Sequence, residues 1–148
     1  MKEAFLKLIP SQVLALTIYG ESRGEPREDK IDVGSVILER VDHRDWDGKT
    51  IHEVCFKRKQ FSCFNEDDRN YGKLLHIAEN WDKAIATDAA LAECFNIALG
   101  LIDGSIARTP EIAAVHCCQY ATVKGADSVT WDDHMKVVKR GRRHIFFA

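Results

Sequence analysis

The residues whose types and spacing could do chemistry are concentrated in Tyr19-Gly20-Glu21-Ser22-Arg23-Gly24-Glu25-Pro26. Two carboxylates, Glu21 and Glu25, flank an arginine and a glycine just after a long apolar run. A carboxylate that emerges from an apolar helix into a cleft loses part of its hydration, which disfavours the charged form and raises its pKa. A glutamic acid that keeps its proton near neutral pH can serve as a general acid, for example toward a glycosidic oxygen. Position therefore makes Glu21 the candidate acid. The same residues also admit a structural reading, in which Glu21 or Glu25 pairs with Arg23, or Glu25 caps the next helix. An exposed pair of that kind is worth under about 1 kcal/mol.

The elements that must position this stretch can be read from periodicity. Ser11, after Pro10, is a plausible N-cap, and Val13, Leu14, Leu16, Thr17 and Ile18 continue a run apolar on most of its circumference. The first helix is thus expected at the centre of the core, stopping between Gly20 and Gly24, with Pro26 barring a clean continuation. A second helix is predicted over 31–41 from the stripe Val33, Val36, Ile37, Leu38 and Val41. Residues 42–50 read as loop, closed by Thr50 as a cap with Glu53 three residues on. Alternation in Phe61-Ser62-Cys63 predicts a short extended piece. Helices follow at 74–78, 81–86 and 89–102, the last with Leu91, Cys94, Phe95, Ala98, Leu99 and Ile102 on one buried face. Residues 113–148 should supply short strands. The expected class is α+β, mostly helical.

Composition bounds the function. At 148 residues the chain is expected to be a single catalytic domain with a sizeable core. A net charge of -2 gives no electrostatic reason for binding nucleic acid. No run of about 18 apolar residues is present, so no membrane insertion is expected. Met1 to Pro10 lacks a secretory apolar stretch and a small-residue cleavage site, which predicts a protein kept in the cytoplasm until something releases it. The five cysteines form no small-scaffold spacing and read as buried free thiols. A zinc site on His116, Cys117 and Cys118 is disfavoured, because adjacent cysteines in an extended segment point to opposite faces. A Cys63–His116 nucleophile pair is compatible with spacing alone.

Ile18 to Pro26 resembles the signature of the SleB-like cell wall hydrolases, the family of spore cortex-lytic enzymes and related bacterial and phage proteins. In that family an apolar helix leads into a Gly-Glu-Ala-Arg-Gly-Glu-like segment, and a second helix ends in a Val-Ile-Leu-Asn-Arg-Val-like run. Here the latter stands as Val36-Ile37-Leu38-Glu39-Arg40-Val41. Thr50-Ile51-His52-Glu53-Val54-Cys55 and Lys59-Gln60-Phe61-Ser62-Cys63-Phe64-Asn65 match a third element, and Ala114-Val115-His116, Trp131 and His144-Ile145-Phe146 are weaker likenesses. The likeness runs from about Leu14 to Phe147. It departs at Ser22 (usually Ala), Glu39 (usually Asn) and Cys117-Cys118 (usually a tyrosine pair). The final histidine stands one residue further from Gly141 than in the family.

The resemblance implies a lysozyme-like fold and cleavage of the β-1,4 bond between N-acetylmuramic acid and N-acetylglucosamine in peptidoglycan, without cofactor or metal. It implies a lytic transglycosylase in which Glu21 acts first as acid and then as base. A hydrolytic muramidase would need a second carboxylate, for which Glu25, Asp67 and Asp68 are the candidates. A non-catalytic glycan-binding or virion component is the alternative of a different class. For substrate binding the residues of interest are Glu25, Tyr19, Gln60, Phe61, Ser62 and His116, because amide and hydroxyl groups suit N-acetyl sugars and aromatic rings suit their apolar faces. Tyr120, Trp131 and His144 are further possible contacts, though residues of these types are more often structural. Lys139, Arg140, Arg142 and Arg143 could meet anionic envelope polymers. The expected partners are glycan strands only, with the chain a monomer. The bare catalytic domain looks like a phage endolysin held in the host cytoplasm before release.

Overall fold

The computed structural model describes residues 1–117, 119–123 and 135–148. A single turn, α1 (Glu3–Leu6), precedes α2 (Pro10–Ser22), a central helix against which three later helices pack. Pro10 suits a first helical position, where its missing N–H leaves nothing unsatisfied. The Gln12 side-chain oxygen accepts from the Ile9 N–H at 2.9 Å, so Ile9 stands at the cap and Ser11, expected there, lies inside the helix. Leu14, Leu16, Ile18 and their neighbours are fully buried. Each such side chain contributes roughly 1.5–3 kcal/mol.

The first glycine does not end α2. The helix passes through Gly20 and closes at Ser22, which puts Glu21 on its last turn. Gly20 is needed for close approach: a Cβ there would lie 2.8 Å from Cys63 Sγ and 3.2 Å from Leu74 Cδ1. After the Arg23–Pro26 turn, α3 (Arg27–His43) runs longer than the apolar stripe alone indicates, and it buries Asp29, Asp32, Glu39 and Arg40 beside that stripe.

A 3₁₀ turn at Asp45–Asp47 leads to α4 (Ile51–Phe56), capped by Thr50, whose hydroxyl accepts from the Glu53 N–H at 3.1 Å. Residues expected to be extended near 61–63 form instead a 3₁₀ turn, Ser62–Phe64, which buries both Cys63 and Phe64. Next come α5 (Tyr71–Glu79), α6 (Trp81–Thr87) and α7 (Ala89–Asp103). Asp88 caps α7 by accepting from Ala90 and Leu91 N–H groups, and Gly104 ends it in the left-handed conformation at φ 85°. Leu99 and Ile102, expected on the buried face, are 40% and 45% exposed, because α7 turns Ile97 and Leu101 inward instead. Among the described residues no single helix is long and apolar enough to cross a membrane.

After α8 (Pro110–Ala113) come β1 (Gln119–Thr122), β2 (Val137–Arg140) and β3 (His144–Phe147). They pair antiparallel in the order β1-β3-β2, with Tyr120 opposite Phe146, Thr122 opposite His144, and an irregularity between Val137 and Lys139. Val36, Ile112, Cys117 and Phe146 form a second small core that seats this sheet on α3. Lys139 adds a charged clip, donating to Asp32 Oδ1 at 2.9 Å and Glu28 Oε1 at 2.8 Å.

The close approach at Gly20 yields a test. Gly20→Ala gains about 1 kcal/mol of helix propensity but overpacks the Cys63 contact, at a cost of about 1–3 kcal/mol. Urea denaturation should show a net loss of stability.

Candidate active site

The end of α2, the 59–62 loop and the sheet meet at a cleft of about 250 Å³, lined by Glu21, Arg40, Lys59, Gln60, Phe61, Ser62, Tyr120, Ala121, Thr122 and His144. Among the described residues Glu21 is the only acid lining it. The Tyr120 hydroxyl donates to Glu21 Oε2 at 3.2 Å, across 99 residues of sequence. Burial dominates the carboxyl's environment and pushes its pKa above the ordinary 4.5. The hydrogen bonds from Tyr120 and the Cys63 thiol, together with the charge of Arg143, oppose this without reversing it, while Asp68 reinforces it. Burial thus favours the protonated form of a carboxyl that still opens to a cleft.

The groups around Glu21 keep their own protons in fixed states. Burial and the facing carboxylate raise the Tyr120 hydroxyl well above its usual range, so it remains a donor. The same two causes, in the same order, push the Cys63 thiol up. His144 is lowered to about 4 by burial and by the neighbouring Arg143, and is a neutral imidazole at neutral pH. Its ring meets that of Tyr120 edge-on at 5.0 Å. Arg40, 5% exposed, donates to Gln60 Oε1 at 3.1 Å and lies 5.3 Å over the Phe61 ring. It therefore orients two cleft residues at once.

Of the residues singled out from the sequence, Glu21, Gln60, Phe61 and Ser62 come together here, with Tyr120 and His144. Gln60 and Ser62 are exposed, while Phe61 is buried except where it edges the cleft. Glu25 lies outside, in an adjoining recess of about 530 Å³ with Thr122, Val123, Arg142 and Arg143. Its carboxylate stands 3.7 Å from Arg142, not beside Arg23, which instead donates to Asn70.

Two expectations are corrected. Tyr19 is 1% exposed and donates to Asp88 Oδ2 at 2.6 Å, tying α2 to the cap of α7 on the core side. His116 does not line the cleft: its Nδ1 faces Glu39 Oε2 at 3.1 Å and its ring stacks on His43. It therefore forms no pair with Cys63. Cys117 is buried and donates to the Phe147 carbonyl at 3.0 Å, a packing role. Trp131 and Cys118 lie outside the described residues. Sequence reasoning missed the role of Arg40, whose signal was an arginine inside an apolar helical run.

A family model described as cell wall hydrolase matches residues 24–147. The matched segment begins after Glu21, so the case for that residue rests on geometry. The catalytic domain of the Bacillus cereus SleB protein is similar in structure, with a TM-score of 0.58 and 21% identity over 99% of this chain and 97% of that one. That likeness carries the fold, a mostly helical, lysozyme-like body with a small sheet. No curated protein matches the chain.

A carboxyl with a raised folded-state pKa also weighs on stability. Below the unfolded value of 4.5 both states are protonated and the burial costs little. As pH rises from there through the folded pKa, the unfolded chain ionises freely while the folded one resists, and stability falls. Glu21→Gln should therefore stabilise the fold at pH 7.5 relative to wild type, with the difference shrinking toward pH 4. Urea unfolding at both pH values checks the sign.

Proposed function

We propose that the chain, which belongs to the cell wall hydrolase family, cuts the β-1,4 bond between N-acetylmuramic acid and N-acetylglucosamine as a lytic transglycosylase. The observation that carries this reading is Glu21: a desolvated carboxyl, and the only acid lining the cleft among the described residues. Protonated Glu21 gives its proton to the glycosidic oxygen as that bond breaks. The resulting carboxylate takes the proton of the muramic acid C6 hydroxyl, whose oxygen attacks C1. The product is a 1,6-anhydro end, no water is consumed, and Glu21 regains its proton.

The neighbours suit this cycle. Tyr120 donates to the carboxylate left after the first proton transfer, so the charge that forms midway is not bare. Gln60, held by Arg40, and Ser62 offer an amide and a hydroxyl to N-acetyl and hydroxyl groups of the sugars. Phe61 offers an apolar edge. Glu25, in its recess with Arg142 and Arg143, is then a binding residue for substrate beyond the scissile bond.

A second reading, hydrolysis by an activated water, has one observation in its favour: Asp68 is near enough to raise the Glu21 pKa. Mass spectrometry of unreduced muropeptides separates the two. Transglycosylation leaves ends lighter by one water than the reducing ends of hydrolysis, whereas severed peptides on intact strands would overturn both. Glu21→Gln should lower turnover roughly 10²–10⁴-fold while glycan pull-down survives; a variant that still clears cell walls would sink the role given to Glu21. Tyr120→Phe removes a donor that favours the charged carboxylate. The alkaline limb of the pH–rate profile should therefore move upward, with a lower maximum, in a wall-turbidity assay.

A further inference from the structure

We propose that Glu39, His43 and His116 form a binding site for a divalent transition-metal ion of the zinc class, separate from the cleft. Glu39 and His43 lie one turn apart on α3 and share a face. His116 approaches them from the segment between α8 and β1. His116 Nδ1 is 3.1 Å and His43 Nε2 is 3.3 Å from the same atom, Glu39 Oε2. All three ligand atoms lie within 4.8 Å of one another. In a tetrahedral site with bonds near 2.0–2.1 Å, neighbouring ligand atoms stand about 3.3 Å apart. Two of the three edges already have that length. The third, between the two imidazole nitrogens, is within 4.8 Å, and the rings, stacked with centroids at 3.7 Å, have to spread so that both lone pairs point at one ion.

The charges and surroundings fit an ion as well. Two imidazole nitrogens converge on one carboxylate oxygen, a geometry that a single dication satisfies in place of two N–H protons. Arg108 occupies the other oxygen, Oε1, at 3.3 Å and is itself held by Asp42 at 2.6 Å, so the carboxylate is oriented by a second layer of contacts. Glu39 is 3% exposed, whereas the imidazoles of His43 and His116 are 40% and 56% exposed, so the cluster lies at the surface. Two imidazoles with one carboxylate favour zinc-like ions over the harder magnesium or calcium. The ion would clip the end of α3 to the chain entering β1, whose Tyr120 touches Glu21. Its role is positional, and the site stands whether or not the proposed reaction does.

The test uses the full chain, stripped with chelator and titrated with Zn²⁺ by calorimetry, then with Co²⁺ by visible absorption. One Zn²⁺ should bind per chain and raise the melting temperature. His43→Ala and His116→Ala, at exposed side chains and checked for folding by circular dichroism, should each weaken binding by about 100-fold or more and abolish the melting shift. Co²⁺ should give a tetrahedral spectrum without a sulfur charge-transfer band. No Zn²⁺ binding at about 100 µM, binding unchanged in both variants, or a thiolate band placing the ion on cysteine would each overturn the proposal.

Discussion

The cleft depends on keeping a carboxyl in a place where water can reach it only from one side. Glu21 owes this to two close approaches. On the helical side, Gly20 lets α2 sit against the Cys63 turn. On the other side, β1 brings the Tyr120 hydroxyl onto Oε2. Burial in this packing disfavours the charged form and outweighs the hydrogen bonds from Tyr120 and Cys63 that favour it, so the carboxyl's pKa lies above that of a surface glutamate. The small sheet therefore matters beyond its size, since it closes over the end of the central helix.

What holds that sheet is α3, and it does so with charges as much as with apolar packing. Asp32, Glu39 and Arg40 are all nearly inaccessible on this helix. An unpaired buried charge costs several kcal/mol, so each must be matched. Lys139 and Thr109 reach Asp32, Arg108 reaches Glu39, and Arg40 reaches Gln60 in the cleft. These partners come from β2, from the segment before α8 and from the cleft loop. One helix thus registers the sheet, the cleft wall and the connection into β1 against one another.

Much of the helical frame was legible along the chain. Residues 74–78, 81–86 and 89–102 are all helical, because local periodicity and caps such as Thr50 act over a few residues. The misses share a cause. The stop expected between Gly20 and Gly24 falls at Ser22, but Ile9 rather than Ser11 caps that helix, and the contact of Gly20 with Cys63 is one that local pattern does not reveal. The 62–64 turn alternates like a strand, but burying both Cys63 and Phe64 requires a tighter turn. Leu99 and Ile102 fit an apolar stripe whose width exceeds the face that α7 buries.

The candidate site divides along the same line. The sequence by itself determined that Glu21 stands at the end of a buried helix, that Gln60, Phe61 and Ser62 form a polar-aromatic stretch, and that the class is α+β and mostly helical. These are properties of residue type and short-range order. Only the tertiary structure decided that Tyr120 and Arg40 join Glu21, that Tyr19 turns to the core, and that His116 meets Glu39 and His43 away from the cleft. Those outcomes depend on contacts between residues far apart in the chain, whose pairing is set by how apolar faces pack and how buried charges find partners, and no local pattern encodes that choice.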